Sequence, residues 1–182
     1  MGEKKFITPE YTTATEIKRV RTMFGLTQKE FAALIGSSKV TVERWERSEE
    51  PIRGQIVLLL RLLERHPEEM EMLKVPEKEY PLRLWYMHGG TVCTMIDVNE
   101  MTKQVKIKNY TNHAMFRAFG MTEAPDYDAY TEFLKSRCFP ESRDKLKLVL
   151  KDLGLPFYEP LMIIEKTEGR MAEDDFWIRI ER

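Results

Sequence analysis

The sequence has little of what defines several protein classes. Only two of its 182 residues are cysteine, Cys93 and Cys138, which excludes a disulfide-rich secreted scaffold and leaves one disulfide open. No stretch approaches the ~20 uninterrupted apolar residues of a membrane-spanning helix, and no apolar N-terminal run has the form of a signal peptide. We therefore expect a cytoplasmic protein that does not contact membranes.

The motifs of the common enzyme classes are also missing. The sequence contains no nucleophile elbow, phosphate-binding glycine loop or dinucleotide fingerprint. Its three histidines, His66, His88 and His113, are scattered without the spacing of metal ligands, and a site built from His88 and Cys93 would need two further ligands that the sequence does not suggest. We therefore predict no enzyme activity, no metal and no cofactor.

Two groups of charged residues in the C-terminal half could have a functional role. Asp97 lies opposite Lys106 and Lys108 in a predicted hairpin, an arrangement similar to some nuclease sites, but a solvated hairpin face explains it better. Arg137 and Arg143 could bind an acidic partner, but paired surface charges are the commoner arrangement. We predict neither group to be catalytic.

Charge is divided unevenly along the chain, although the formal total is −1. Residues 1–66 contain 12 Lys and Arg against 9 Asp and Glu, a net charge of +3, and residues 67–182 contain 17 against 21, a net charge of −4. A basic N-terminal part suits phosphate binding. Because chance alone can produce such a difference, it indicates only which half would contact DNA.

Residues 25–47 have the pattern of two short helices joined by a glycine turn. Thr27 and Glu30 have the spacing of a capping box, in which each side chain satisfies a free N–H of the other residue. Gly36 ends the first helix, and Ser38 can cap the second. The sequence therefore predicts a helix-turn-helix.

The second of these helices has one apolar face and one free face. Val42 and Trp45 lie three residues apart and can share a buried face, which leaves Lys39, Val40 and Arg44 outward. A recognition helix of this kind places its exposed residues in the major groove. Arginine and lysine read guanine there, and an aliphatic group can touch the thymine methyl.

The run from Gly25 to Pro51 resembles the helix-turn-helix of phage-repressor (Xre/Cro-type) regulators. Thr-Gln, Phe-Ala, Gly, Ser, Thr-Val and Trp-Glu all have the expected spacing. With the leucine-rich helix and His-Pro that follow, residues 14–75 are similar to a subgroup found among the antitoxins of toxin–antitoxin systems. The chain departs from the family at Ser37, where an apolar residue is usual, and it lacks the cysteine-rich zinc module that many of these antitoxins contain.

This resemblance implies a five-helix DNA-binding domain that dimerises. It also implies that Gln28 contacts phosphate and that Lys39, Val40, Thr41 and Arg44 face the bases. The predicted DNA-binding residues are Thr27, Gln28, Ser38, Lys39, Val40, Thr41, Arg44 and Arg47.

A helix predicted over residues 54–65 is unusually apolar. Its aliphatic residues cover an arc of roughly 260°, far more than the ~100° stripe of an ordinary surface helix. One side can pack on the small domain, and the remainder needs a second partner. That partner is either a second copy of the helix, as in a homodimer on a palindromic operator, or residues 76–182 of the same chain.

Prolines at 76 and 81 bracket charged residues and indicate a domain boundary. We therefore predict a helix-turn-helix domain over residues 1–75 and a mixed α+β domain over residues 76–182, so the fold class is α+β. A short helical turn is predicted over residues 48–54. In the second domain we predict strands over residues 82–87, 92–98, 104–110 and 176–180, and helices over 127–137, 141–153 and 160–166.

The C-terminal part resembles a segment found in some Firmicute proteins related to the persistence kinases of toxin–antitoxin systems. The matching residues are Arg137, Pro140, Arg143, Leu153, Gly154, Asp174 or Asp175, Phe176, Trp177 and Ile178. The phosphate loop and catalytic loop of the kinase have no counterpart here, so the resemblance implies a shared interaction module and not kinase activity.

Two functions follow from these observations. In the first, the chain is a sequence-specific transcriptional regulator, an autoregulating antitoxin-like repressor that binds double-stranded DNA as a homodimer. In the second, it neutralises a protein partner, such as a kinase-like toxin, and its DNA binding serves only autoregulation.

Overall fold

The computed structural model describes residues 6–182, which form two compact units divided between Lys74 and Val75. The first five residues of the predicted N-terminal domain lie outside the described part. The N-terminal unit is helical, and the C-terminal unit combines a four-stranded sheet with helices, so the predicted α+β class is confirmed.

Five helices make up the described part of the N-terminal unit. They are α1 Ala14–Met23, α2 Gln28–Leu34, α3 Lys39–Glu46, α4 Gln55–Arg65 and α5 Pro67–Leu73. The first four meet in one apolar core, in which Ile17, Phe31, Val42 and Leu60 are buried. This core sets the angle between α2 and α3, the two helices of the predicted DNA-binding motif.

Side-chain caps define where α1, α2 and α3 begin, whereas α4 and α5 have none. The predicted capping box between Thr27 and Glu30 is confirmed, and Thr13 and Glu16 form a second one at the start of α1. Each box satisfies N–H groups that have no partner inside the helix. The helix starts are therefore determined locally, before any tertiary contact.

The short helical turn predicted over residues 48–54 is wrong. This segment is an irregular loop, and Ile52 exchanges two backbone hydrogen bonds with Thr12, of 2.8 and 2.9 Å. Pro51 disfavours helical geometry at the residue before it, and the bridge to Thr12 takes up the backbone groups that a helical turn would use. The fifth helix of the unit is instead α5.

The C-terminal unit is built on an antiparallel sheet. Its strands are β1 Leu82–His88, β2 Thr91–Asn99, β3 Gln104–Asn109 and β4 Phe176–Glu181, in the order β3-β2-β1-β4. A short 3-10 helix, Ala114–Phe116, follows β3 and is succeeded by α6 Tyr127–Ser136, α7 Leu146–Asp152 and α8 Pro160–Thr167. The chain returns from α8 to place β4 beside β1, at one edge of the sheet.

One face of this sheet supports the helices. Leu84, Ile96 and Ile178 project from three strands into a core that also contains Tyr130 of α6 and Ile163 of α8. Alternate residues of the same strands lie on the opposite face, because side chains alternate along a strand. That opposite face is also apolar in part, because Trp85, Met87 and Met95 form a second buried cluster there.

Helix α7 is shorter than the predicted helix over residues 141–153. Lys145 adopts a left-handed conformation, with φ of 59°, and the helix begins after it. A helix cannot run through such a residue, because left-handed geometry reverses the backbone turn. The segment between Pro140 and Lys145 therefore forms turns.

Candidate nucleic-acid interface

The turn between α2 and α3 is closed by backbone hydrogen bonds. Gly36 has a positive φ of 64° and donates to the carbonyl of Ala33 at 3.3 Å, while Ser37 donates to that of Ala32 at 2.8 Å. This pair of bonds is a Schellman motif, which favours glycine at the left-handed position. Ser38 then caps α3 by accepting from the Thr41 N–H at 3.1 Å, as predicted.

Helix α3 has a buried face and an exposed face, as its sequence predicts. Val42 is fully buried, and Trp45 is half-buried against the core of the unit. On the other side Val40 is 71% exposed, and Arg44 is also exposed. An aliphatic side chain this exposed contributes nothing to the core, so its place on α3 calls for an explanation outside the fold.

Some of the predicted DNA-contacting residues already form hydrogen bonds or ion pairs within the chain. The Ser38 and Thr41 hydroxyls lie 2.8 Å apart and share a hydrogen bond. Lys39 pairs with Glu43, one turn further along, at 3.0 Å. Such an exposed pair is weak, and the Lys39 ammonium can exchange it for another acceptor.

Arg47 follows α3 as its C-cap residue, and its side chain is exposed. It lines a shallow surface depression together with Val40, Glu43, Arg44 and Ser48. Two guanidinium groups, one from Arg44 and one from Arg47, therefore lie along the same exposed side of α3.

A polar network beneath α3 joins three helices. Arg21 of α1 forms two hydrogen bonds with the Glu46 carboxylate, of 2.6 and 3.0 Å, and a third with the carbonyl of Leu26 at 2.7 Å. Gln28 of α2 donates to the same carboxylate at 2.8 Å. Because Glu46 is at the end of α3, this network fixes α3 against α1 and α2.

The network also determines the protonation of Glu46. Burial acts to raise the pKa of this carboxyl, but the hydrogen bonds from Arg21 and Gln28 outweigh it, so the pKa lies below the usual value of 4.5. Glu46 is therefore ionised at neutral pH. This contact has no signal in the sequence, because Arg21 and Glu46 are far apart in the chain and no local pattern joins them.

Gln28 thus has a role that its motif position did not predict. One amide N–H is used by Glu46, while a glutamine amide has two. The second N–H stays available for the predicted phosphate contact. The bond to Glu46 would hold it in place.

Ser37, the residue that departs from the family pattern, lines a depression between the α2–α3 turn and α4. Its neighbours there include Ile35, Trp45 and Leu59. These neighbours are largely apolar, which suits a larger aliphatic side chain at this position. The small serine leaves that space open.

Arg137 was expected at the surface and is instead buried in the C-terminal unit. Its guanidinium forms bonds of 2.6 and 2.9 Å with Asp174, and it also donates to the carbonyls of Gly169 and Phe176, both at 3.0 Å. The hydrogen bonds from Arg137 hold the pKa of the Asp174 carboxyl below its usual value. Burial follows because α8 and β4 close around the arginine, so this residue stabilises the fold.

The second arginine of that motif is placed differently. The exposed Arg143 packs its guanidinium over the ring of Phe139, with 5.7 Å from Cζ to the ring centroid. The two arginines line the same depression, but the guanidinium of Arg137 is already bonded to Asp174. Arg143 keeps its charge at the surface.

Asp97 does not lie on a solvated hairpin face, so that prediction was wrong. It forms bonds of 2.6 and 2.7 Å with Arg83 on the neighbouring strand, and the two side chains are only 3% and 4% exposed. Lys106 pairs with Glu79 instead. A carboxylate neutralised in this way on a covered sheet face has no free position for a metal or a substrate.

Within residues 6–182 no group of three His, Cys, Asp or Glu side chains is arranged to hold a metal ion. In the same residues, no helix is both long enough and apolar enough to cross a membrane.

Comparison with known proteins relates the N-terminal region to antitoxins. Residues 2–74 match the family model described as the antitoxin component of a bacterial toxin–antitoxin system, MqsA. A protein named Antitoxin HigA-2, from Vibrio cholerae serotype O1 (strain ATCC 39315 / El Tor Inaba N16961), is 40% identical over 55 residues, which are 30% of this chain and 53% of that protein. The chain therefore spans about half the length of the curated relative that it matches.

These matches support a helix-turn-helix region of the antitoxin type in the N-terminal unit. The resemblance predicted over residues 14–75 is thereby confirmed. The match ends where the N-terminal unit ends, so the C-terminal unit lies outside it. The predicted likeness of that unit to kinase-associated segments stays a prediction.

Proposed function

We propose that this chain is an antitoxin-type transcriptional regulator that binds its own operator through α3. The observation that carries the proposal is the exposed side of α3. Val40 and Arg44 are free of the core there, while Val42 and the Glu46 network hold the opposite side rigid. A rigid helix with free aliphatic and guanidinium groups has the chemistry that the major groove requires.

In this proposal the contacts divide into two kinds. Lys39, Val40, Thr41 and Arg44 face base edges. Thr27, Gln28, Ser38 and Arg47 contact phosphates and position the helix, as hydroxyls, amides and guanidinium groups do in many protein–DNA complexes. Base contacts determine which sequence is bound, and phosphate contacts determine how strongly any DNA is bound.

We further propose that the regulator acts as a homodimer on a palindromic operator. Leu58 and Leu62 lie one turn apart on α4 and are 46% and 47% exposed. Neither is fully covered by the described part of the unit, which favours a second copy of α4 as the partner. Two copies related by a two-fold axis would present two α3 helices to half-sites about one DNA turn apart, ~34 Å.

The C-terminal unit supports a second proposed function, the binding of a protein partner. It shares no part of the family match and, within the described residues, no part of the helix-turn-helix. Since the related proteins are named antitoxins, we propose that a toxin is the partner. A kinase-like toxin is one candidate. DNA binding would then serve autoregulation of the pair.

A gel shift with the chain's own promoter tests the operator proposal. Arg44→Ala should weaken binding by about 1 to 3 kcal/mol and relax sequence preference at the base pair that Arg44 contacts. Arg47→Ala should weaken binding to all sequences alike and reduce the slope of log K against log salt by about one. The matched control is Arg143→Ala, which removes the same charge from an exposed site in the other unit. Equal binding by wild type and Arg44→Ala would refute the assignment of Arg44.

A further inference from the structure

The free edge of β4 is a candidate binding site in the C-terminal unit. In the sheet order β3-β2-β1-β4, strand β4 has β1 on one side, and no strand of residues 6–182 lies on the other. The free edge lies next to α8, and a groove between them is lined by Ile164, Ile178 and Ile180 and flanked by charged residues. An open strand edge beside a groove can accept an extended polypeptide.

The backbone hydrogen bonds identify which groups face this edge. The Ile178 N–H donates to the carbonyl of Glu168 at 2.7 Å, so it points away from β1. Backbone direction alternates along an antiparallel strand, and therefore Phe176 and Ile180 also direct their N–H and carbonyl groups to the free edge. Their side chains, like that of Ile178, contact the core beneath the helices.

The first part of this edge is already occupied. The Phe176 N–H donates to the Asp174 carboxylate at 3.0 Å, and the Phe176 carbonyl accepts from Arg137, also at 3.0 Å. Together with the bond from Ile178 to Glu168, these contacts satisfy the backbone groups that a neighbouring strand would otherwise satisfy along the first half of β4. At this end, the free edge of β4 is covered by specific hydrogen bonds within the unit.

The second part of the edge is unoccupied within the described residues. The Ile178 carbonyl, the Ile180 N–H and the Ile180 carbonyl form no hydrogen bond there. Along the strand these groups are a carbonyl, an N–H and a second carbonyl. A short extended segment of another chain can form hydrogen bonds with all three. Unsatisfied edge groups of this kind attract another strand.

The side chains around the groove indicate the polarity and charge of a segment that could bind there. Ile164 and Ile178 are each 1% exposed, so the apolar surface that is open to a ligand in the groove comes from Ile180. Of the charged residues around it, Glu165 pairs with Arg182 and Glu168 pairs with Arg170. The rim is therefore close to neutral, which disfavours nucleic acid and favours a peptide with apolar side chains at alternate positions.

A second copy of β4 is the other conceivable occupant, and the geometry disfavours it. The contacts at Phe176 and Ile178 leave only the last few residues of β4 free. An interface between two such short edges would bury far less than the ~1,200 Å² of a stable protein–protein contact. A short segment of another protein can bind to an edge of this length.

We propose that the β4 edge and the α8 groove bind an extended, apolar segment of a protein partner as an added strand. The segment would form backbone bonds with Ile178 and Ile180 and would place alternate side chains beside the partly exposed side chain of Ile180. The exposed ion pair between Arg182 and Glu165 crosses the end of the groove and is weak enough to be displaced. This inference rests on the proposed function only in assigning partner binding to the C-terminal unit.

Two substitutions at one position isolate the backbone bond. Ile180→Pro removes the N–H that faces the free edge, and proline is tolerated in an edge strand at such a position. Ile180→Ala removes the same apolar side chain and keeps the N–H. Short random peptides displayed on phage are selected against the full chain, and a selected peptide is then synthesised and titrated against both variants.

The expected result is selection of peptides with apolar residues at alternate positions, bound about tenfold more weakly by Ile180→Pro than by Ile180→Ala. Amide exchange of the wild type supplies a test that needs no variant. The Ile180 N–H should exchange quickly in the free chain and slowly when the peptide is bound, whereas the Ile178 N–H should be protected in both states.

Three results would overturn the proposal. They are the absence of any selected peptide, equal affinity of the two variants, and protection of the Ile180 amide that depends on protein concentration, which would make a second copy the occupant. The operator gel shift is run on the same variants. Loss of peptide binding with an unchanged gel shift locates the effect at β4, and a failed gel shift with intact peptide binding counts only against the operator proposal.

Discussion

The ion pair between Arg83 and Asp97 is almost completely buried, so neither charge is hydrated as it would be at the surface. Arg83 on β1 and Asp97 on β2 are paired residues of neighbouring strands. Both side chains are buried there, and each charge is stabilised mainly by the other. Such a pair costs much to desolvate, so its net contribution to stability can be small, while the loss of one partner is severe.

Removing Asp97 alone should therefore destabilise the chain strongly. Asp97→Ala is expected to lower the free energy of unfolding by about 3 to 5 kcal/mol, because Arg83 is left charged and buried. Replacing both residues, with Arg83→Met and Asp97→Leu together, should restore most of that loss. Urea unfolding followed by circular dichroism measures both. A double variant as unstable as the single one would contradict this account.

Ser37 and Ser38 are neighbours with opposite expected effects. Ser37→Val should fill the apolar depression beside Leu59 and stabilise the chain by about 0.5 to 1 kcal/mol. Ser38→Ala should remove the α3 cap and cost about 1 kcal/mol. Thermal unfolding of the two variants checks this, and a destabilising Ser37→Val would show that the depression is not available for packing.

Helix α3 depends on contacts at both of its ends and on one side. Ser38 caps its start, Val42 anchors its middle, and Glu46 joins its end to α1 and α2. The exposed side chains of Val40 and Arg44 have no part in these contacts. These two residues can therefore change without loss of the helix's own stability.

The Glu46 network predicts how stability depends on pH. Because the pKa of Glu46 is lowered in the folded chain, the stability that it contributes is present above its unfolded pKa and is lost as pH falls through the folded value. Glu46→Gln should be less stable than wild type near pH 7, and the difference should shrink below about pH 4.

Thermal unfolding of wild type and Glu46→Gln between pH 7 and pH 3 makes this comparison. Glu49→Gln is the matched control, since Glu49 is exposed. A difference that stays constant down to pH 3 would mean that the carboxylate charge of Glu46 does not stabilise the unit.

At the scale of the full chain, the two units have separate cores and separate proposed partners. Apolar residues left exposed on α4 indicate where the N-terminal unit would meet its own copy. The open edge of β4 indicates where the C-terminal unit would meet another protein. An assembly with DNA, a second copy and a toxin would then use three different surfaces.

The proposed dimer contact can be broken on α4. Leu58→Glu should shift the chain from dimer to monomer in sedimentation velocity and weaken operator binding by at least about tenfold, because two linked half-sites bind far more tightly than one. Leu148→Glu places the same charge on an exposed leucine of α7 and should change neither. A dimer that survives Leu58→Glu would locate the interface elsewhere.

Local patterns were enough to predict the elements that local forces determine. The capping box at Thr27 and Glu30, the Ser38 cap and the two faces of α3 all depend on residues within one or two turns of each other. The strands were found in the same way, from runs of aromatic and β-branched residues. The family match over residues 2–74 agrees with the predicted helix-turn-helix.

Contacts between distant residues followed only from the folded chain. The pairing of Arg21 with Glu46, of Arg83 with Asp97 and of Arg137 with Asp174 depends on which helices and strands become neighbours, and a charged residue carries no local sign of its distant partner. The loop at residues 48–54 was mispredicted partly for the same reason, whereas the later start of α7 follows from the left-handed conformation of Lys145. Propensity is a small energy per residue, and tertiary contacts such as the bridge between Thr12 and Ile52 outweigh it.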